Sequence, residues 1–186
     1  MPTRSSPFKG EAGRGMGYDK ETTMQLEKMI GDLLREKGWT LSIAESCTGG
    51  LVSDLITNVP GSSDYFEGGI VSYSNLAKRE FLNVPAIYIK RYGAVSPLVA
   101  KKMAEGIRRA FHTTLGVSTT GIAGPGGGSR KKPVGLVFIA VSNGKRTIVK
   151  KEKLKGSRKA IKKESARRSL KYLYDFITKG APSKHG

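Results

Sequence analysis

A turn of small and polar residues, Glu45-Ser46-Cys47-Thr48-Gly49-Gly50, follows the apolar stretch Trp39 to Ala44 and precedes a helical pattern. A serine at a tight strand-to-helix turn projects its hydroxyl outward. The backbone N–H groups just after it can stabilise an oxyanion or bind a phosphate. Ser46 is thus a candidate nucleophile, with the amides of Cys47, Thr48 or Gly49 as candidate donors. Gly49 and Gly50 would let a ligand approach the backbone closely. A serine or threonine that merely caps a helix fits the same segment equally well. Glu45 is either a base or substrate contact or, the preferred expectation, a residue that fixes the turn by hydrogen bonding.

A nucleophilic serine needs a base. The two histidines, His112 and His185, fall at the end of an amphipathic helix and in the C-terminal tail, which disfavours a Ser-His-Asp triad. The alternative is a lysine held neutral by desolvation and neighbouring positive charge, taking the serine proton directly or through a tyrosine. Tyr73-Ser74-Asn75-Leu76-Ala77-Lys78 offers both groups at a strand end and on the first turn of the next helix. From spacing alone, a solvated helix lysine is the commoner outcome. Cys47 has no histidine partner and reads as a small, partly buried thiol.

A second glycine-bearing loop, Gly121-Ile122-Ala123-Gly124-Pro125-Gly126-Gly127-Gly128, also follows an apolar run. It matches neither the GxxxxGK[ST] loop of ATP-binding proteins nor GxGxxG ahead of a helix. Close backbone approach to a ligand and a purely structural wide turn both remain open. In open α/β sheets ligands bind outside the carboxyl ends of the strands, so the two loops can line one site.

The elements that must position these loops are legible from periodicity. Leu26, Met29, Ile30, Leu33 and Leu34 recur at helical spacing after the potential cap Asp19, and Gly38 ends that helix. Further helices are expected from about Thr48 to Asn58, from Asn75 as a cap, from Ser96-Pro97 to about Phe111, and from Ser157 onward. Strands are expected over Gly69–Ser74, Leu115–Thr120, Val134–Val141 and Thr147–Leu154. The last two flank the hairpin dipeptide Asn143-Gly144. Strands alternating with helices and closed by one hairpin predict an α/β class, three-layer α/β/α, with a mostly parallel sheet that is antiparallel in part. Residues 1–18 and 179–186 read as flexible tails around one domain, 19–178.

Composition bounds the function. Hydrophobic residues at 38% and charged residues at 26% indicate a globular chain. No apolar run is long enough to span a membrane and no signal core opens the chain, so a cytoplasmic location is the default expectation. The single cysteine rules out an intrachain disulfide and any cysteine-built zinc site, and two histidines disfavour a histidine-rich metal centre. The net charge of +18 is concentrated toward the C-terminus: residues 144–186 hold fifteen Lys/Arg against three acidic residues. That field favours phosphorylated small molecules or nucleic acid. Nucleic-acid binding is the weaker expectation, because no aromatic residues are interleaved with the basic ones.

Ala44-Glu45-Ser46-Cys47-Thr48-Gly49-Gly50, Pro60-Gly61-Ser62-Ser63, Tyr73-Ser74-Asn75, Gly93-Ala94-Val95-Ser96, the loop Thr120–Gly128 and Lys132-Pro133-Val134-Gly135 together closely resemble the CinA C-terminal domain family, over roughly residues 20–178. The resemblance implies a three-layer sandwich with a mixed five-stranded sheet, in what looks like the standalone form. It implies a serine amidohydrolase of the nicotinamide mononucleotide deamidase kind, acting in the pyridine nucleotide cycle, with Ser46, Tyr73 and Lys78 as catalytic residues. Lys78, with Tyr73 as relay, would deprotonate Ser46, and neither metal nor cofactor is required. Expected substrate contacts are Glu45, Thr48, Gly49, Gly50, Asn75, Gly121, Gly124, Gly126, Gly127, Arg130 and Lys132. The substrate phosphate is assigned to the Gly124–Gly128 loop or to the helix start at Thr48, with Arg130 or Lys132. The expected partners are the phosphorylated nucleotide substrate and a second copy of the chain. A non-catalytic nucleotide-binding module and a basic nucleic-acid accessory protein are the competing readings.

Overall fold

The computed structural model describes residues 20–179, with side chains described from Met24 onward. The expected tails, apart from Lys179 at the end of the last helix, and the proposed cap Asp19 lie outside the described residues. Among the described residues, six helices and five strands follow in the order α1 (Lys20–Lys37), β1 (Leu41–Glu45), α2 (Leu51–Thr57), β2 (Phe66–Val71), α3 (Asn75–Leu82), α4 (Ala86–Tyr92), α5 (Pro97–Ala110), β3 (Leu115–Gly121), β4 (Leu136–Ser142), β5 (Thr147–Lys153) and α6 (Arg158–Lys179). A single 3-10 turn, Ser62–Asp64, precedes β2.

The strands form one sheet in the order β2-β1-β3-β4-β5. β1 pairs in parallel with β2 and β3, and β4 runs antiparallel to both β3 and β5, so four of the five strands point the same way. Alternation along each strand distributes side chains to two cores. On one face Leu41, Ile43, Leu115, Val117 and Val141 pack with α1, α2 and α6 through Ile30, Leu34, Ile56 and Leu170. On the other, Ala44 packs with Val99, Met103 and Ile107 of α5 and with Leu82 of α3. The same alternation in β4 sends Leu136, Phe138 and Ala140 against Ala100 and Ala104 of α5. The expected three-layer α/β/α sandwich with a mixed, mostly parallel five-stranded sheet is therefore the fold.

Connectivity decides where a ligand can bind. The neighbours of β1 lie on opposite sides of it, with β2 reached through α2 on one face and β3 through α3–α5 on the other. The carboxyl end of β1 is thus the point where the winding reverses, which opens a crevice between the diverging connections. Ser46 is the first residue beyond it.

Four expectations change. β2 spans Phe66–Val71 rather than Gly69–Ser74, so Tyr73 lies beyond the strand and not in its end. α2 begins at Leu51 rather than near Thr48, because Gly49 and Gly50 take left-handed φ of 63° and 101° and hold the chain in a turn. Ser74, not Asn75, caps α3, its hydroxyl accepting from the Ala77 amide at 3.0 Å. The segment after Pro85, where no helix or strand was expected, forms α4, too short to show a clear hydrophobic period. Ser96 caps α5 with Pro97 at its first position, as the sequence indicated.

Gly106 brings α5 against the end of α3. A Cβ there would collide with the Leu82 carbonyl oxygen. In Gly106→Ala the helix-propensity gain of about 1 kcal/mol is outweighed by overpacking of about 1–3 kcal/mol or more. A net loss of stability is expected, with the urea midpoint of unfolding as the measurement.

Candidate functional site

The turn after β1 is fixed by Glu45. Its carboxylate is fully buried and accepts from the amides of Gly50 (2.9 Å), Val52 (3.1 Å) and Ser53 (2.9 Å) and from the Ser53 hydroxyl (2.8 Å). These are the donors that α2 leaves free at its N-terminus. Glu45 thus acts as the helix cap from five residues away, and both of its oxygens are spent on that role rather than on a ligand. The α2 start cannot serve as the phosphate cradle that the sequence placed near Thr48. Thr48 is itself buried, with its hydroxyl 2.6 Å from that of Thr119 on β3. The Gly49 amide donates to the Ser46 carbonyl at 3.1 Å, closing a turn. Among the described residues, the amides of Cys47 and Thr48 have no partner from another residue. They are the donors left for an oxyanion.

Lys78 completes the centre. Helical side chains lean toward the N-terminus of their helix, and from the first turns of α3 this carries the Lys78 amine back toward the end of β1. Its Nζ donates to the Ser72 carbonyl at 2.6 Å and to Ser46 Oγ at 3.1 Å. With only 1% of its surface exposed, Lys78 has no water to stabilise its charge, and burial pushes its pKa down to about 8. Desolvation alone does this, without the neighbouring cation that the sequence reading expected. A neutral Lys78 can keep one N–H on Ser72 and turn its lone pair to the Ser46 hydroxyl. That is the geometry of a general base.

Cys47 borders the same cavity as Ser46 and Lys78, but its thiol is enclosed. It is 5% exposed, packs with Ala123, Val137, Ile139 and Ile161, and burial pushes its thiol up to about 12. It is a core residue, not a second nucleophile. His112 sits exposed just past the end of α5 with a left-handed φ of 54°.

Ser46, Lys78 and Tyr73 line a cavity of about 260 Å³ together with Gly121, Gly124, Gly126 and Gly127 of the second glycine loop. Tyr73 is 60% exposed, and its hydroxyl accepts from Arg158 Nη2 at 2.7 Å. Among the described residues it makes no hydrogen bond to Ser46 or Lys78, and the lysine reaches the serine without it. Arg158 also donates to the Gly124 carbonyl at 2.7 Å, joining the two sides of the cavity. No local pattern pointed to Arg158, one of many cations in the last helix. Ala94, Val95 and Thr120 also line the cavity unanticipated. They stand in segments that the sequence reading had singled out, but with no chemistry to mark them.

Other expected contacts lie elsewhere. Gly49 and Gly50 shape the turn without lining the cavity, and Asn75 and Arg130 are exposed and do not line it either. Lys132 donates to the Tyr92 carbonyl and ties its loop to the end of α4. Pro60-Gly61-Ser62-Ser63 packs near α1, where Arg35 donates to the Pro60 carbonyl. A larger groove of about 1100 Å³ runs between α1, α2 and α6, but no nucleophile and base are paired there. The smaller cavity holds the chemistry.

The fold and the site together define a three-layer α/β/α protein with a serine–lysine pair at the reversal point of its sheet. The model of the CinA C-terminal domain matches residues 23–177. A CinA-like protein of Acaryochloris marina is 56% identical over 68% of this chain and 29% of its own length. A second, from Syntrophus aciditrophicus, is 46% identical over 89% of this chain and 39% of its own. The crystal structure of the competence/damage inducible protein CihA from Agrobacterium tumefaciens superposes with a TM-score of 0.81 at 35% identity, covering 84% of this chain and 95% of that one. The chain belongs to the CinA C-terminal domain family and spans less than two fifths of the length of these two curated relatives. Among the described residues no helix is long and apolar enough to cross a membrane.

Two outcomes follow from this geometry. Below pH about 8 Lys78 carries the proton that would prevent it from accepting one, and above that pH it is free to act. Modification of Ser46 by a serine-directed phosphonate should therefore accelerate as pH rises through about 8 and then level off. Lys78→Met should lower the rate about 10²–10⁴-fold and flatten the profile. Glu45→Ala strips the cap from α2 and should cost about 2–4 kcal/mol in urea unfolding, while Glu45→Gln should cost less because the amide oxygen still accepts.

Proposed function

We propose that the chain is a serine amidohydrolase that hydrolyses the carboxamide of nicotinamide mononucleotide to nicotinate mononucleotide and ammonia. The observation that carries this reading is the 3.1 Å contact between the buried Lys78 amine and Ser46 Oγ, with amides immediately after the serine that no other described residue engages. Lys78 takes the hydroxyl proton as Ser46 attacks the carboxamide carbon. The negative oxygen of the tetrahedral intermediate lies against the Cys47 and Thr48 amides. Collapse breaks the C–N bond, and the proton held by Lys78 goes to the departing nitrogen, which leaves as ammonia. Water then attacks the acyl-enzyme, with Lys78 again as base, and frees the acid and Ser46.

In this scheme proton abstraction is direct. Tyr73 is assigned to the cavity wall, where its hydroxyl and Arg158 flank the substrate, rather than to a relay from Ser46. Gly121, Gly124, Gly126 and Gly127 leave stretches of the opposite wall as bare backbone between Ile122 and Ala123 and the small residues around them. A cytoplasmic place in pyridine-nucleotide recycling and self-association into a homo-oligomer belong to the same reading.

Ammonia release from nicotinamide mononucleotide tests it. The native protein should release ammonia and Ser46→Ala should not. Tyr73→Phe should retain far more activity than Lys78→Met. No release by the native protein would sink the amidohydrolase reading, and equal release by Ser46→Ala would remove the serine from it.

A further inference from the structure

Arg158 is the cation of the cavity wall opposite Lys78. A phosphorylated ligand that extends past that wall along the Ser46 turn would need a further positive charge there. Helix α6 passes beside the turn that carries Ser46, and its register there is fixed by Ile161, buried against Cys47 and Ala123. Residues four apart on a helix share a face, which puts Arg158 and Lys162 on the same side of α6. Arg158 is already engaged with the Gly124 carbonyl and the Tyr73 hydroxyl. Lys162 is not engaged: its ammonium makes no hydrogen bond or ion pair among the described residues.

Its position is specific. A Cβ built on Gly49 would lie 3.2 Å from Lys162 Nζ and 3.8 Å from Cε. The ammonium therefore stands over Gly49, where the absent side chain leaves room, just outside the cavity lining. Gly49 closes a four-residue turn with Ser46 through its amide, so the two Cα atoms are within about 7 Å. An unpaired cation thus occupies one end of the turn and the nucleophile the other. A substrate with its carboxamide at Ser46 and an anionic group one sugar away would reach both. A lysine is a compact point charge suited to a phosphate monoester.

We propose that Lys162 binds the phosphate of a phosphorylated amide substrate and thereby separates a nucleotide from the corresponding nucleoside. This rests on the amidohydrolase reading for the placement of the amide, and the test separates the two.

Steady-state kinetics with nicotinamide mononucleotide and with nicotinamide riboside compare the native protein, Lys162→Ala and Lys162→Arg. Loss of one charge-assisted contact should raise KM for the nucleotide about ten- to a hundredfold in Lys162→Ala. It should leave kcat for the nucleotide and both constants for the riboside near native values. Lys162→Arg should recover most of the nucleotide KM. An equal loss on both substrates, or no change on either, overturns the proposal. Calorimetric titration of the same two ligands into Ser46→Ala and Ser46→Ala/Lys162→Ala reads binding without turnover. Weaker nucleotide binding in the double variant, with riboside binding unaltered, supports the phosphate contact even if the native protein releases no ammonia. Unaltered nucleotide binding overturns it whether or not ammonia is released.

Discussion

The arrangement depends on one buried carboxylate. Glu45 ends β1 in a fully enclosed position, and a charge there is tolerable only because four donors converge on it. Those donors are the open end of α2, so one set of contacts settles two liabilities, an unsolvated anion and an uncapped helix. The intervening residues have little freedom left. Gly49 and Gly50 absorb the left-handed bends, and Ser46 is displayed at the tip of a loop anchored at both ends. The cap also removes the helix start as an anion site. What remains for a developing negative charge is the pair of amides just after the serine.

Topology supplies the rest. Because β2 and β3 flank β1 on opposite sides, the segment leaving β2 returns close to the end of β1. There it presents Ser72 and α3. Lys78 reaches inward from that helix, and enclosure by its neighbours gives an amine less inclined to hold a proton than a solvated one. The base is thus made by burial of an ordinary lysine, with its orientation fixed by the Ser72 carbonyl.

Much of this was legible in the amino-acid order, and the reasons for the gaps are physical. The strand-turn-helix around Ser46 and the Ser96-Pro97 helix start are short-range patterns, and both were readable. So was the balance of parallel and antiparallel strands, which the Asn143-Gly144 hairpin betrays. The length of the turn was not, because two successive glycines permit either an early helix start or a bend and only the Glu45 cap decides. Arg158 and Lys162 were unreadable as site residues, since a helix carrying so many cations gives no sign of which ones face inward until Ile161 is seen to anchor it. Arg130 and Lys132, adjacent to the glycine loop in sequence, are carried away from the cavity by the chain's own turn.

The two hydrogen bonds of Arg158 have a consequence for the order in which the molecule is assembled. Ser46 and Lys78 are 32 residues apart, but Arg158 bonds a tyrosine 85 residues before it and a glycine 34 before it. Contacts of large sequence separation form late, because they close the longest loops. During synthesis the serine and its lysine would both have left the ribosome well before the helix that braces the opposite wall. The pocket is therefore finished from the C-terminal end of the chain. The same helix brings Leu170, Leu173, Phe176 and Ile177 to the core beneath β1, so the nucleophile and its base gain their support and their far wall from one docking event.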